Sequence, residues 1–469
     1  MNKMLLDLFG KMPVGWNPST DKSASSFWEE ATNVEFRGQT IHASGKHDLV
    51  LEYGDEPVRG IAALRTSAGV QELYFGTLTK LFRSVALGAA SLVGTGFTTV
   101  QYESATEYAG HWRFANWGEW IVASNGKEPV QVRKGTGSFV TLQEDGTTPL
   151  PFTYAKLLAK LGPHLVVANT SNAQNEIRWC SDDNIEKWTV LDTNTAGDFV
   201  VRDADSGLMA MEPLGSVLAL YTREAMWTIT YIGAPFVFGV NPAVDGVGAY
   251  GPAAVTSVGK HNYGWGPMGI WKTDGTSFEM IDTPIREYLG QHLAVGEASQ
   301  IAAYHNEVRR CVVFSFPTAV DAENSETICY DYGVNAWSTD MTVITAALPR
   351  NVFQWPIVAK VSTRSMHAVL GQGELMYLKT IPLHFGDVTN DKFLSQVRIE
   401  HIGSVQFEYA TAETSAGPFT LSEPQVLDTD MEFVGIDTAA KYWQFHFSAV
   451  GDASISGIAI YGRPGGRRI

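Results

Sequence analysis

The residue patterns that support catalysis in other proteins are largely missing from this sequence. It contains no GxSxG nucleophile elbow, no Walker A loop, no HExxH zinc motif and no paired CxxC. One glycine pattern of the dinucleotide-binding type is present at 246–251, with the sequence GVGAYG. A dinucleotide site needs that loop to open a helix, whereas Pro252 and the strand-like segment Ala253–Val258 follow it here. The pattern therefore predicts a glycine-rich turn between two β units.

Candidate metal ligands are equally weak. Asp203, Asp205 and Gly207 resemble the start of a calcium loop, but Leu214 stands where the loop's closing glutamate would be, so a plain turn is predicted. Three isolated histidines are interpreted as strand or turn residues: His261, His305 and His446. Three scattered cysteines are interpreted as reduced thiols: Cys180, Cys311 and Cys329. Whether the last two lie on neighbouring strands is left open. The sequence thus predicts no catalytic residue, metal ligand or cofactor, and no enzymatic activity.

Two short segments resemble the structural motifs of β-propeller blades. Ser181–Trp188 (SDDNIEKW) is similar to the Asp-box of sialidase-like propellers, SxDxGxxW, with Ile185 in place of the glycine. Residues 335–338 (NAWS), which follow Tyr330 and Asp331, resemble the end of a kelch-type blade. Asp-boxes resemble structural hairpin pins and not catalytic groups, and a tryptophan at a blade end is best placed to pack between blades.

Composition excludes several classes of protein. The chain has 469 residues, with 34 Lys and Arg against 50 Asp and Glu, which gives a net charge of −16. The 45% of apolar residues exclude a disordered chain, and the acidic balance argues against a binder that neutralises nucleic-acid phosphates. Met1–Met12 is too weakly apolar for a signal peptide. The sequence also contains no run of about twenty apolar residues, which is the length needed to span a membrane.

The recurring element is a short strand that ends at Gly, Asn, Asp or Pro. A central strand residue recurs at intervals of 47, 45, 52, 45, 49 and 56 residues. These markers are Tyr74, Ile121, Val166, Leu218, Tyr263, Val312 and Ala368. A period in the forties with about four short strands is typical of a propeller blade. The sequence therefore predicts an all-β fold with a β-propeller of six or seven blades.

Three regions are predicted along the chain: an extended N-terminal arm over residues 1–33, the β-propeller over 34–382 and a C-terminal β-sandwich over 383–469. We expect Val34–Lys46 to complete the last blade, because it precedes the first full unit and contains a strand-like segment. The separate sandwich is supported by a shift in charge. Eleven acids and three bases between Ile381 and Gly462 give this part a net charge of −8.

The middle of the chain resembles a known family of viral proteins. Residues 213–238 (PLGSVLALYTREAMWTITYIGAPFVF), the segment 248–255 (GAYGPAAV) and the hairpin at 270–275 (IWKTDG) are similar to tail-nozzle proteins of short-tailed bacteriophages. This family is also known as tail tubular protein B or packaged-DNA stabilisation protein. Residues 178–188 and 442–447 (YWQFHF), together with Gly462-Arg-Pro, also fit this family.

The resemblance implies a structural virion protein with no chemistry to assign. Copies would form a ring, usually a hexamer, below the portal and its adaptor, and would also contact tail fibre, spike or needle proteins. The ring would retain packaged DNA and conduct it at ejection without binding it specifically and without membrane insertion. The implied location is the virion tail, after assembly in the host cytoplasm. An acidic wall suits such a conduit because it repels the duplex, although −16 is also ordinary solubilising charge.

Candidate contact residues for such an assembly lie near both termini. Trp16, Phe27 and Trp28 in the arm either anchor a partner or pack on their own propeller. Arg463, Arg467 and Arg468 form either a basic tip for an acidic neighbour or a solvated tail. Two other functional classes remain open. One is a propeller that binds or hydrolyses glycans, which needs a carboxylate pair at the channel mouth, and the other is a cellular scaffold that binds peptides.

Overall fold

The computed structural model describes most of the chain, and almost all of its regular structure is β-strand. The described residues are 4–7, 15–18, 28–38, 40–54, 56–98, 111–202, 206–233, 235–319, 323–370, 373–428 and 433–464. Within these ranges one α-helix, Arg286–His292, is followed by the 3-10 helix Val295–Gln300. The helical segments connect the fifth and sixth of the repeating sheets described next.

Seven antiparallel blades of four strands form the larger part of the described molecule; six are separate sheets, and blade 6 is part of a larger sheet. Their strands, from the innermost outwards, are Gly60–Arg65, Gln71–Gly76, Lys80–Val85 and Ser91–Thr95 in blade 1; Arg113–Trp117, Trp120–Ser124, Gln131–Lys134 and Val140–Thr141 in blade 2; Ala155–Leu161, His164–Thr170, Glu176–Trp179 and Gly197–Val200 in blade 3; Ala210–Leu214, Val217–Tyr221, Ala225–Gly233 and Val237–Asp245 in blade 4; Val255–Val258, His261–Gly266, Gly269–Thr273 and Phe278–Met280 in blade 5; Ala302–Asn306, Cys311–Phe316, Glu326–Asp331 and Ala336–Asp340 in blade 6; and Ile344–Leu348, Ile357–Lys360, Ser365–Val369 and His47–Glu52 in blade 7. A small extra hairpin pairs Gln143–Glu144 with Thr148–Pro149.

The blades close into a ring, which establishes a seven-bladed β-propeller. The innermost strand of each blade contacts that of the next, and the innermost strand of blade 7 contacts that of blade 1. The second strands are the most buried, because each lies inside its sheet and between two neighbouring blades; all seven residues of His164–Thr170 are buried. The fold class predicted from the strand spacing is therefore confirmed, with seven as the number of blades.

Blade 7 is closed by a strand from the opposite end of the chain. His47–Glu52 pairs with Ser365–Val369 as the outermost strand of that blade. Leu51 on this strand packs in a core shared by blades 7 and 1, with Leu348 and Ile357 on one side and Leu73 and Phe75 on the other. The last blade is thus locked to the first by residues that are remote in sequence.

The prediction that Val34–Lys46 completes the last blade is wrong. Val34–Arg37 and Thr40–Ala43 form a hairpin whose second strand pairs with Ser454–Pro464, in the C-terminal β-domain. The apolar residues of this hairpin lie in that domain's core. Alternation of apolar and polar residues marks a half-buried strand but does not identify the sheet with which that strand pairs. The hairpin at 34–43 and the strand His47–Glu52 both look like half-buried strands, so the sequence pattern did not show which of them completes blade 7.

The remaining strands form two sheets that pack face to face as a β-sandwich. The first sheet has the order Val34–Arg37, Thr40–Ala43, Ser454–Pro464, Lys392–Ile402 and Phe433–Ala440, with Met4–Asp7 also paired to Ser454–Pro464. The second has the order Trp28–Thr32, Gly373–Thr380, Tyr442–Gly451 and Val405–Ala412, extended by Thr420–Leu421 and Gln425–Leu427. Residues 28–43 and 373–380 therefore belong to the sandwich, so the boundaries expected at 33/34 and 382/383 do not separate the two domains.

The sandwich is continuous with blade 6. Trp28–Thr32 lies beside the outermost strand of that blade, with Thr32 opposite Thr339 in a parallel pair. Asn33 then adopts a positive φ of 53°, which redirects the chain into the next hairpin. Its side chain bonds both domains, because Oδ1 accepts from Met341 N at 2.9 Å and Nδ2 donates to Leu375 O at 2.9 Å. Blade 6 and the second sandwich sheet thus form one ten-stranded sheet.

The closure of blade 7 should be sensitive to the buried side of its last strand. We predict that Leu51→Ala lowers the free energy of unfolding by about 2–5 kcal/mol, because it opens a cavity in the core between blades 7 and 1. Leu49→Ala is the matched control on the same strand: Leu49 is 54% exposed against 5% for Leu51. The control should stay within about 0.5 kcal/mol of the wild type in urea denaturation. Equal losses for the two variants would contradict the assigned closure.

Candidate functional site

The innermost strands of the propeller enclose an axial cavity of about 430 Å³. All seven blades contribute residues to its wall. Much of the lining is small and apolar, including Ala115, Ala159, Ala303 and Ala347. The volume lies within the range of ligand pockets in proteins, so this cavity is the leading candidate for a binding or catalytic site.

An ion pair spans this cavity. Arg113, on the innermost strand of blade 2, donates through Nη2 to Oε1 of Glu212 on the innermost strand of blade 4. The pair thus reaches across blade 3, and both side chains are largely buried. Burial raises the pKa of Glu212, while the Arg113 guanidinium acts in the opposite direction. The pair joins two non-adjacent blades, and its two charges neutralise each other at the cavity wall.

Three further basic residues line the cavity. His111 is buried with Nε2 3.0 Å from Ser299 O, and burial, assisted by nearby Arg59, lowers the pKa of His111 to about 3. Arg59 Nη2 lies 3.6 Å from Glu323 Oε1, and Glu323 in turn bonds Arg364 at 2.9 Å. Lys160 Nζ lies 4.9 Å from the centre of the Trp117 ring. These groups all have contacts within the protein.

The chemistry that this cavity could perform is restricted. Glu212 is the only carboxylate among the described residues of its wall, and it is bound to Arg113. Glycoside hydrolysis ordinarily requires two carboxyl groups facing one bond, so the cavity lacks half of that machinery. Within the described parts of the chain, no three His, Cys, Asp or Glu side chains are arranged to hold a metal ion.

A second, larger cavity of about 640 Å³ lies where the sandwich hairpin at 34–43 meets blade 6. Its charged groups are tied into the junction between the domains. Arg309 Nη1 lies 2.5 Å from Asp340 Oδ2 and its Nε lies 3.5 Å from Glu35 Oε1, and all three side chains are almost fully buried. Burial disfavours the ionised Asp340, but Arg309, His47 and the Thr342 backbone N–H together outweigh it, so the pKa of Asp340 is lowered. This cluster acts as a structural ion triad.

The glycine segment at 246–251 is a turn between blades 4 and 5, as predicted. The strand Val255–Val258 follows it, so no helix is available to hold a dinucleotide phosphate. Gly248 is required for close packing, because a Cβ atom there would lie 1.8 Å from Arg223 O. The Trp271 indole of blade 5 donates to Gly248 O at 2.7 Å.

Both blade-like motifs are structural. The buried Trp188 donates its indole N–H to Ile185 O at 2.7 Å, and its backbone N–H to Glu144 Oε1 at 2.6 Å. The Asp-box-like segment therefore pins a loop of blade 3 to the small hairpin at 143–149. Trp337 on blade 6 donates to Ile281 O, just after blade 5, at 2.8 Å. The predicted packing of this tryptophan between blades is confirmed.

The isolated histidines and cysteines occupy ordinary positions in strands. His261, His305 and His446 lie on strands of blade 5, blade 6 and the sandwich, as predicted. Cys311 and Cys329 lie on neighbouring strands of blade 6, where Val313 is opposite Cys329, and both are buried free thiols. Contact with Cys311 and burial raise the pKa of Cys329 well above its usual range. Asp203 and Asp205 lie outside the described residues.

The arm tryptophans are not exposed anchors. Trp16 and Trp28 are buried in the chain's own core, so the interpretation of these two as free anchors for a partner is wrong. Trp16 packs against Tyr288 with ring centres 4.8 Å apart, and Trp28 packs against Phe447 of the sandwich. Burying a large aromatic side chain stabilises a domain junction as much as it stabilises an interface with a partner. The sequence therefore does not show which of the two roles such a residue has. Phe27 lies outside the described residues.

The predicted basic tip is described only in part. The guanidinium of Arg463 lies 5.0 Å from the centre of the Phe393 ring, on the strand Ser454–Pro464. Arg463 is therefore an exposed residue at the end of a sandwich strand. Arg467 and Arg468 lie outside the described residues.

Sequence reasoning missed the residues of the axial cavity. Arg113 and Glu212 are 99 positions apart and belong to no motif. The available signal was a charged residue on the innermost strand of a blade, where side chains face the axis. The sequence does not show which two of the seven inner strands carry side chains that bind each other.

No protein-family model matches this chain, and no curated protein matches it. Several solved structures align with it at low identity. The computationally designed protein Ika8 aligns over 69% of this chain and 99% of its own, with 13% identity and a TM-score of 0.37. Virginiamycin B lyase from Staphylococcus aureus aligns over 69% and 97%, with 12% identity and a TM-score of 0.43. BBS1N, solved with ARL6DN, aligns over 71% and 96%, with 12% identity and a TM-score of 0.41. Likeness at this level assigns no activity or partner to this chain.

We predict that His111→Gln makes the free energy of unfolding less dependent on pH in acid. An unfolded histidine takes up a proton near pH 6.5, whereas burial holds the pKa of native His111 at about 3. The unfolded state therefore binds more protons between these values, so stability is full above about pH 6.5 and falls as the pH decreases. In that window the wild type should lose about 1.4 kcal/mol per pH unit more than the variant. Urea denaturation across the window measures this difference, and parallel curves would contradict a buried neutral His111.

Proposed function

We propose that this chain is a structural subunit of a short-tailed phage tail. In this proposal copies form a ring-shaped nozzle, a hexamer, below the portal adaptor, and the ring retains packaged DNA and conducts it at ejection. The observation that carries the proposal is the Arg113–Glu212 pair across the axial cavity. At the position where a propeller would act on a ligand, the one carboxylate among the described lining residues is already paired with the protein's own Arg113. The resemblance of residues 213–275 to tail-nozzle proteins supplies the structural role.

The junction between propeller and sandwich suits a structural subunit. Blade 6 and a sandwich sheet are one continuous sheet, and Arg309 binds carboxylates from both domains, Asp340 of the propeller and Glu35 of the sandwich. Removing one partner of a buried ion pair ordinarily costs about 3–5 kcal/mol, so the junction resists separation. A subunit built as one body can transmit force along a tail without its domains moving apart.

DNA would pass through the centre of the ring of copies and not through the propeller axis. The axial cavity has a volume of about 430 Å³ and is crossed by an ion pair. The major groove of a duplex is alone about 12 Å wide, so a duplex does not fit there. A ring opening formed by chains of net charge −16 would repel the phosphates and let DNA slide.

The partners in this proposal are further copies of the chain, the portal adaptor, and tail fibre, spike or needle proteins. The proposed location is the virion tail, after assembly in the host cytoplasm. No helix within the described ranges has both the length and the apolar character needed to cross a bilayer.

A glycan-binding or glycan-hydrolysing propeller is the second candidate. The observation in its favour is Glu212, a carboxyl group whose pKa is raised by burial inside a cavity of ligand size. A raised pKa is what a general acid needs. Against this stand the bond to Arg113 and the lack of a second carboxylate among the described lining residues.

We predict that the protein forms no tight complex with duplex DNA, even at low salt. Without a basic surface there are few counterions to release on binding. A fluorescence anisotropy titration with a labelled duplex should show no complex at nanomolar protein concentration. As a control, Glu413→Lys with Glu423→Lys places two cations on exposed sandwich positions and should raise DNA affinity with a steeper salt dependence. Nanomolar binding by the wild type would rule out a repelling conduit.

We predict no turnover of glycans or esters by the wild type. The test is a panel of chromogenic glycosides and esters assayed with the wild type, Glu212→Gln and Glu224→Gln. Glu224 lies on an exposed turn of blade 4, outside the cavity lining, and serves as the matched control. Reproducible turnover that is lost in Glu212→Gln and kept in Glu224→Gln would replace the structural proposal with the enzymatic one.

A further inference from the structure

The outer hairpin of blade 4 is the longest in the propeller and ends in an apolar tip. Its strands, Ala225–Gly233 and Val237–Asp245, have nine residues each, whereas the other blade strands have two to seven. Tyr231, Ile232 and Phe236 at the tip are 44%, 56% and 76% exposed. Phe236 has the largest exposed fraction of any large apolar side chain in the described residues. Exposed apolar patches of this kind ordinarily mark an interaction site.

The hairpin is also free of charge, apart from Asp245 at its base. Met226–Val244 contains no Asp, Glu, Lys, Arg or His, in a chain of net charge −16. Identical copies of so acidic a chain repel one another, and desolvating a charge at an interface is costly. Copies can therefore approach most easily where both surfaces lack charge.

A second segment without charged residues lies on the opposite side of the propeller. Val85–Thr98 contains no charged residue and includes Ser91–Thr95, the outermost strand of blade 1. On this surface Val85 and Leu92 are 40% and 52% exposed. In the order of seven blades, two blades separate blade 4 from blade 1 in one direction, and two separate it from blade 7 in the other. The hairpin tip thus lies across the disc from the junction of blades 7 and 1.

We propose that the blade 4 tip of one copy docks on the outer edge of blade 1 of a second copy. This inference rests on the proposed ring function and names the interface that would build it. Because the two surfaces differ and lie on opposite sides, the contact is head-to-tail, and each copy offers one surface of each kind. Contacts of this type generate closed rings when the rotation between copies closes. Phe236, Ile232 and Tyr231 are the anchors, since buried aromatic side chains dominate interface energies.

Site-directed crosslinking tests the contact in the full-length protein. The native cysteines are all buried, so Phe236→Cys and Leu92→Cys each introduce one accessible thiol. A mixture of the two single variants, treated with a short bis-maleimide, should give crosslinked dimers. Each variant alone should give few, because tip does not meet tip and edge does not meet edge. Equal dimer yields from Phe236→Cys alone, or no dimers from the mixture, would overturn the proposed contact.

Sedimentation velocity separates failure of the interface from failure of the ring. We expect Ile232→Asp with Phe236→Asp to reduce the self-associated fraction at least tenfold. Ile402→Asp with Val450→Asp, at sandwich positions that are 68% and 72% exposed, should leave it unchanged. Association that survives the tip substitution would overturn the interface and keep the ring. A tip variant that self-associates normally but no longer binds vesicles or another tail protein would assign the tip to that partner. A wild type that neither associates nor crosslinks would overturn both.

Discussion

Ring closure is the constraint on which the rest of the structure depends. A propeller is stable only if the apolar face of every blade is covered by a neighbour, so the last blade must be completed and locked to the first. Here His47–Glu52 supplies the missing strand of blade 7. The loop that this pairing closes spans more than 300 residues, but loop-closure entropy grows only with the logarithm of length, so burial of Leu51 and its neighbours can offset it.

Closure also determines where the sandwich forms. With residues 47–52 committed to blade 7, the chain before them leaves the propeller next to blade 6, where Thr32 and Asn33 pair with Thr339. The chain after blade 7 runs through Gly373–Thr380 beside Trp28–Thr32. The two ends therefore meet, and the sandwich is assembled from both of them. The buried Arg309, held by Glu35 and Asp340, links this composite domain to the propeller.

The sequence predicted the repeating blades of this architecture but little of the pairing between strands that are distant in the chain. Strand spacing predicted the blades because each blade repeats a local series of strands and turns. The partner of Val34–Arg37 was predicted wrongly because period-two alternation looks the same in a blade and in a sandwich. The sequence did not show whether Trp16 and Trp28 are buried or exposed, because tryptophan is common both at domain junctions and at interfaces with partners. The Arg113–Glu212 pair depends on which inner strands face each other across the axis, which local patterns do not encode.

We propose that this acidic propeller, with its paired axial carboxylate, is a ring-forming subunit of a tail conduit. Electron microscopy of the purified protein, alone and with its portal adaptor, tests it most directly. We expect rotationally symmetric rings of several seven-bladed discs around an opening wide enough for a DNA duplex. Isolated discs under all conditions, or closed assemblies without a central opening, would contradict the claim.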